Sequence, residues 1–334
     1  MVEGLILIQG PEVAASRYRI LQYIPYFEAH GMRCRVIKFP DTLREYFHLY
    51  RILSRYDCVF VQRKRFHFPF LCVFRKESRH IVYDLDDAVM YNNSLAGSAY
   101  TRTRQRRFKK MLQNSDTIVA GNSFLREKSL EFNPDVVVIP TSIPMSRYLV
   151  KDYTEKKHVV TIGWIGDHGS IHYLERLKGV WEEIGKRYRE RVELKIICDV
   201  FFECENIEVK KVQWSENSEV EELRDMDIGV MPLLDDPWSQ GKCGLKILQY
   251  MGVGIPVVCT PVGVNKDVVI PGVNGYHAET DKVWIDALSR LIDDKESRRS
   301  MGLAGRDILE GGYTLEANAP RLLEIMTGHR SQVP

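Results

Sequence analysis

Three stretches of this chain combine residue types and spacings that could do chemistry. The first is Asp84-Leu85-Asp86-Asp87, three carboxylates in four positions directly after an apolar run. Carboxylates so placed can hold a divalent cation, accept a proton or hydrogen-bond a hydroxylated substrate. No third ligand accompanies Asp84 and Asp86, so the metal reading is set aside and no metal site is expected. Asp86 and Asp87 remain as contacts for a substrate, with Asp87 available as a general base. The alternative is a helix cap and first-turn acid.

The second stretch is Gly163-Trp164-Ile165-Gly166-Asp167-His168-Gly169-Ser170, a strand end that opens into a helix. Gly166 lets the backbone turn tightly, and the N–H groups of Gly166, Asp167 and Ser170 would then favour an anion such as a phosphate. It does not match GxGxxG, and a plain strand-to-helix turn capped by Ser170 accounts for it as well. The third runs from Met231 to Val258 as strand, glycine-containing loop, amphipathic helix, Gly-Pro break and strand. Amides at Cys243, Gly244 and Leu245 would point at an anion, with Lys242 and Lys246 adding positive charge. Lys246 and Gln249 are three apart and share a helical face. One cation and one amide on that face suit a sugar nucleotide, Lys on phosphate and Gln on ribose hydroxyls.

Other residues are weaker candidates. Trp214 ends a strand-like run and could flank a base, although packing explains it too. His168 and His172 have the spacing of a metal pair without a carboxylate to complete it. Ser16 and Arg17, at the first helix, could touch an anionic substrate. Arg63-Lys64-Arg65-Phe66-His67-Phe68-Pro69-Phe70 mixes charge with aromatics, and residues 102–110, with Arg104, Arg106, Arg107 and Lys109, form a cationic helix. No nucleic-acid-binding module surrounds either cluster, so nucleic acid is not an expected partner. An anionic membrane surface is, with Arg63, Lys64, Arg65, Phe66, Arg104, Arg106, Arg107 and Lys109 facing it.

The elements that must position these residues follow from pattern. Residues 2–9, 33–39, 58–62, 80–84, 117–120 and 136–140 read as short apolar or β-branched strands alternating with helical periodicity. After a polar stretch at 151–157 the pattern restarts, with strands at 159–165, 192–198, 207–212, 228–233, 256–260 and 275–278, and only helix beyond 281. Near-continuous apolar strands such as Gly4-Leu5-Ile6-Leu7-Ile8 fit parallel sheets covered on both faces. The expected fold is therefore α/β, two doubly wound Rossmann-like domains facing a cleft. Domains are expected at 1–150 and 151–312, with a closing segment at 313–334.

Composition agrees. With 334 residues, 44% hydrophobic and 28% charged, the chain has the balance of a folded protein of two domains. The formal net charge of +2 hides an asymmetry: residues 1–150 carry 23 Lys/Arg against 14 Asp/Glu, the rest 24 against 31. A basic half joined to an acidic half suggests that the basic one meets something anionic. Seven cysteines without a CxxC pair suggest neither a disulfide framework nor a zinc site. The absence of a long apolar run and the strand-like start lead to an expected cytoplasmic location, peripheral at the inner face of the plasma membrane.

Residues 249–258, Gln-Tyr-Met-Gly-Val-Gly-Ile-Pro-Val-Val, resemble the "EAMACGxPVV" signature of the GT-B glycosyltransferases, specifically family 4. Residues 261–267 and 272–276 resemble that family's following loop and turn. In the first half, residues 15–19, 83–88 and 139–143 are similar to one bacterial branch. The likeness covers most of the chain and is most specific at about 227–279. It departs at the usual Glu-x7-Glu, whose places hold Gly241 and Gln249, and at the Arg/Lys pair usual after Gly166.

The resemblance implies a retaining, metal-independent transferase acting in bacterial surface polysaccharide synthesis. It would hold a UDP or GDP sugar on the second domain through Gly166, Asp167, Ser170, Trp214, Lys242, Cys243, Gly244, Leu245, Lys246 and Gln249. A glycan or lipid-linked acceptor would lie on the first, near Ser16, Arg17 and Asp86. Lys246 would neutralise the departing diphosphate, with Asp86 and Asp87 as the other catalytic candidates. The C-terminal helix would cross back to the first domain. A nucleotide-sugar epimerase and a degenerate, non-catalytic binding protein are the competing readings.

Overall fold

The computed structural model describes residues 1–155 and 157–328; Lys156 in the polar stretch, and 329–334 of the expected closing segment, lie outside them. All twelve expected strands form. The first sheet comprises β1 (Val2–Ile8), β2 (Met32–Lys38), β3 (Cys58–Gln62), β4 (Ile81–Leu85), β5 (Thr117–Ala120) and β6 (Val136–Val138), parallel throughout and ordered β2-β1-β3-β4-β5-β6. The second comprises β7 (Val160–Ile165), β8 (Val192–Cys198), β9 (Glu208–Gln213), β10 (Ile228–Met231), β11 (Val257–Cys259) and β12 (Gly275–His277), also parallel, in the order β12-β11-β10-β7-β8-β9.

The apolar strand runs follow from burial on both faces. Leu5, Leu7, Val59, Val61 and Tyr83 point into one core, and Ile6, Ile8, Phe60 and Val82 point into another on the opposite face. A strand so covered has no polar side to show, so its sequence does not alternate. Each such side chain, fully withdrawn from water, contributes about 1.5–3 kcal/mol before the entropy of ordering it.

The described residues divide into two compact units, one of residues 1–142, 236–243 and 315–328, the other of residues 143–155, 157–235 and 244–314. The first boundary falls earlier than the pattern suggests, at Ser142/Ile143 rather than 150. Ile143 N–H donates to the Tyr313 carbonyl, and Tyr148 is fully buried with its own carbonyl accepting from Arg306 at 2.6 Å. These contacts tie residues 143–148 to the second unit before the polar stretch begins. In the C-terminal helix Leu315–Thr327, Ala319, Leu322, Ile325 and Met326 join the core built on Ile6 and Phe60 of the first unit.

In each sheet the direction of winding reverses once, between β1 and β3 in the first unit and between β7 and β10 in the second. Loops at the carboxyl ends of strands flanking such a switch point are where doubly wound sheets take ligands. Each of the three chemically promising stretches begins in a strand and runs past its carboxyl end.

Candidate active site

In the second unit the switch point is organised around one helix. Gly244 has φ of 69°, a left-handed conformation that costs a residue with a Cβ roughly 1–2 kcal/mol, and it opens the helix Leu245–Gly252. Tyr250 fixes that helix to both switch-point strands: its hydroxyl accepts from Ile165 N–H and donates to the Val230 carbonyl, each at 3.2 Å. Gly229 in β10 makes room for the Tyr250 ring, because a Cβ there would strike it. Lys246 then stands in the first helical turn, its ammonium 5.0 Å from the Trp164 ring centroid and 3.4 Å from Ser170 Oγ.

The turn after β7 is held by its own side chains. Ser170 Oγ donates to Asp167 Oδ1 at 2.9 Å, and His168 contacts Asp199, at the end of β8, through its N–H (2.7 Å) and ring Nδ1 (2.6 Å). The hydrogen bond to Asp199 and its charge raise the His168 pKa, and the same bond lowers that of Asp199. Gly166 has no space for a side chain: a Cβ would meet the Trp164 ring and sit 2.9 Å from Ser170 Oγ. Gly166, Asp167, Ser170, Gly244, Leu245 and Lys246 thus gather at the carboxyl end of β7. The N–H groups of Gly166, Asp167 and Ser170 are bonded to the Ile197 carbonyl, Ser170 Oγ and the Asp167 carbonyl, so what the group offers is a helix N-terminus and one ammonium, a combination suited to phosphate oxygens.

One expected donor contact, Gln249, is corrected. Gln249 is only 3% exposed and its amide donates to the Tyr148 hydroxyl at 3.2 Å, so it packs inside the second unit. The reason is depth along the helix, since residues 247–252, more than a full turn, are buried on every face. Trp214 donates its indole N–H to Glu219 at 2.8 Å, a bond that orients the ring locally.

Lys242 and Cys243 belong to the first unit. Lys242 pairs with Asp87 at 3.1 Å and lies over the Trp238 ring at 5.0 Å, and burial pushes the Cys243 thiol pKa up. Gly241 packs where a Cβ would come within 2.5 Å of the Ala88 Cβ and 2.6 Å of its backbone nitrogen. A glutamate does not fit there, which explains one departure from the family signature.

The carboxylates after β4 are bound by cations. Arg19 engages Asp84 with both fully enclosed, its Nη2 2.6 Å from Asp84 Oδ1. Burial pushes Asp84 up to about 6, against the pull of Arg19. Arg63 adopts φ of 56°, a strained position for a side chain of this size, and grips Asp86 at 2.7 and 2.6 Å while reaching Asp87 at 2.8 Å. Burial disfavours the Asp86 anion, but Arg63, with Arg19 and Lys242, outweighs it and holds that carboxyl below its ordinary value. Among the described residues no group of three or more His, Cys, Asp or Glu side chains is placed to hold a metal ion.

Ser16 is another correction. It is completely buried and its hydroxyl donates to Gln62 at 2.8 Å, so it is a strut between the first helix and β3. Arg17, half-buried, stacks its guanidinium 5.3 Å from the Tyr18 ring.

The expected membrane face does not hold together as one surface. Phe66 is buried, stacked on Phe74 with ring centroids 4.2 Å apart, because the apolar core beneath the loop needs it. Arg63 is committed to Asp86 and Asp87. Lys64, Arg65, Arg104 and Arg107 line a cavity of about 870 Å³ in the first unit. Arg106 and Lys109, on another side of the same helix, are exposed.

Residues 157–294 match the family described as glycosyl transferases, group 1. Over those residues the chain is similar to the group 1 glycosyl transferases. No curated protein matches this chain by sequence. Solved structures do resemble it over nearly their whole length. Sucrose-phosphate synthase from Thermosynechococcus elongatus is 14% identical with a TM-score of 0.72, covering 96% of this chain and 97% of its own. Anabaena HepE, solved in complex with UDP and glucose, is 14% identical with a TM-score of 0.73, covering 97% and 99%. A glycosyltransferase from Rickettsia africae is 12% identical with a TM-score of 0.72, covering 99% of each chain. At such identities the likeness establishes the fold, two Rossmann-like domains of the GT-B type.

Pattern alone gave no such role to several groups that shape the second unit's switch point. Trp164 under Lys246, the His168–Asp199 clasp and the Tyr250 hydroxyl come from separate strands and helices. Only the rule that switch-point loops bind ligands could have singled them out.

Proposed function

We propose that this glycosyltransferase moves a sugar from a nucleoside diphosphate sugar, a UDP or GDP sugar, to a glycan or lipid-linked acceptor in bacterial surface polysaccharide synthesis. The acceptor oxygen replaces the diphosphate at the anomeric carbon, with retention of configuration and without a metal ion. The observation that carries this reading is the placement of Lys246: an ammonium in the first turn of a helix, beside Ser170 Oγ and the Trp164 ring. Negative charge grows on the departing diphosphate during transfer. A preorganised cation with aligned N–H groups stabilises it without solvent reorganisation. The match to group 1 glycosyl transferases and the UDP-bound HepE of similar fold support the same assignment.

In this proposal Gly166, Asp167, Ser170, Gly244, Leu245 and Lys246 hold the donor. Asp86 and Asp87, fixed by Arg63 and Lys242, face the acceptor hydroxyls together with Arg17. Peripheral attachment to an anionic membrane would rest on the exposed Arg106 and Lys109. Liposome sedimentation tests it: an Arg106→Gln/Lys109→Gln variant should lose association with anionic vesicles, and unchanged sedimentation rejects the membrane role.

Thermal-shift titration with UDP, GDP, ADP and their sugars tests the donor assignment. A nucleoside diphosphate should raise the melting temperature, and Lys246→Ala should weaken its binding by about tenfold or more, the effect of losing a charged hydrogen bond. Failure of every nucleotide to bind the unaltered enzyme would sink the reading.

A further inference from the structure

The cavity of the first unit gathers four cations, Lys64, Arg65, Arg104 and Arg107, beside the carboxylate-bound Arg63. Lys64 and Arg65 follow β3, and Arg104 and Arg107, three apart and so on one face, come from the helix Arg102–Gln113. Arg65 and Arg104 both donate to the Val89 carbonyl, at 2.5 and 3.4 Å, and Arg107 contacts His67 Nδ1 at 3.3 Å. Among the described residues none of these four cations forms an ion pair with a carboxylate, whereas their neighbour Arg63 makes two. Asp41 on the rim is exposed and pairs instead with Lys38 at 3.2 Å. Burial depresses the Arg65 pKa, and Arg104 and Arg107 push it further the same way. Gathering like charges in a partly desolvated pocket is unfavourable unless an anion enters.

The opposite wall is aromatic. Tyr46 and Phe70 stack with centroids 4.4 Å apart, Phe39 packs on Tyr46, and Trp238 contributes an indole from the segment after β10. The volume of about 870 Å³ lies in the range of small-molecule sites, roughly 300–1,000 Å³. Gln9 after β1 and Arg63 after β3 also line it, which puts the cavity at the switch point of the first sheet.

We propose that this cavity binds the phosphate ester of the enzyme's acceptor, its cationic wall holding the phosphate and its aromatic wall the ring or chain attached to it. Guanidinium forks match phosphate oxygens in pairs, and several of them suit a multiply charged group better than a single carboxylate. The assignment rests on the transferase reading only in naming the ligand as acceptor. A phosphate ester could be carried by a lipid or by a soluble sugar, and the aromatic wall accommodates either.

The test is isothermal titration of the full chain, with UDP present in excess to occupy any donor site. The probes are farnesyl diphosphate below its micelle concentration, glucose 1-phosphate, and the uncharged farnesol and glucose. At least one phosphate ester should bind about tenfold or more tighter than its alcohol. Preference for farnesyl diphosphate assigns a lipid-borne acceptor, and preference for glucose 1-phosphate a soluble one. Arg104→Gln/Arg107→Gln should weaken that binding by about tenfold or more. Arg106→Gln/Lys109→Gln, which removes the same charge from another side of the same helix, should leave it unchanged. Lys64→Gln, at an exposed position, repeats the loss without touching packed structure. Equal losses in both double variants would reduce the effect to net charge and overturn the proposal, as would phosphate esters binding no better than their alcohols. UDP binding without phosphate-ester binding removes the pocket and leaves the transferase. Phosphate-ester binding without nucleotide binding does the reverse.

Discussion

Asp86 shows how a site residue becomes a stability determinant. Its carboxylate is 9% exposed and bound through both oxygens by Arg63, whose backbone is held at positive φ. Removing one partner of a buried pair leaves the other charge uncompensated, so Asp86→Asn should destabilise the first unit by about 3–5 kcal/mol at neutral pH. The folded state holds the Asp86 pKa below its unfolded value of about 3.9. Its contribution is therefore present above that value and lost as pH falls through the folded pKa. Asp84 runs the other way: raised to about 6, its contribution is full below the unfolded pKa and lost as pH rises through 6. Chemical denaturation of both proteins across pH 3–7 separates the two. The gap between wild type and Asp86→Asn should shrink below about pH 4, and a constant gap would remove the electrostatic account.

Among the elements, the segment Asp236–Cys243 behaves least as its sequence position suggests. It follows β10 of the second unit yet packs in the first, where Asp236 caps the short helix Pro237–Gln240 by accepting from Ser239 N–H at 2.7 Å. Asn122 donates to the Gln240 and Lys242 carbonyls at 3.2 and 3.0 Å, and Gly241 lies directly on Ala88. Gly241→Glu, which restores the family's usual residue, should therefore lower stability by about 1–3 kcal/mol through overpacking and should not raise activity. Melting temperature together with donor hydrolysis checks both halves of that expectation. Lys246 lies in the first turn of the helix Leu245–Gly252, the position its place after Gly244 suggested. Gln249, one turn deeper, is buried with its amide on the Tyr148 hydroxyl, a partner about a hundred residues away that spacing along the helix does not reveal.

At the scale of the whole molecule, the first unit is assembled from three separate pieces of chain. Its core contains Ala319, Leu322, Ile325 and Met326 of the final helix, packed with Ile6 and Phe60. Truncation after Gly312 should therefore speed amide exchange in β1 and β3 and leave β7 and β8 protected, as hydrogen-exchange mass spectrometry can read. Uniform loss of protection in both sheets would mean the helix supports more than the unit it packs in. The twelve strands, the two sheets and the glycosyltransferase signature were legible in the sequence, since apolar runs between turn residues are local and strands covered on both faces have no alternative. The charge asymmetry between the halves was also there to read, but its use was not. A membrane face was expected because Arg104, Arg106, Arg107 and Lys109 are neighbours in sequence. Only the tertiary structure turned Arg104 and Arg107 toward Arg65 and Trp238 and left Arg106 and Lys109 outside. Strand and helix follow from short-range periodicity, whereas a pocket depends on which distant side chains the packing of a sheet brings to one end.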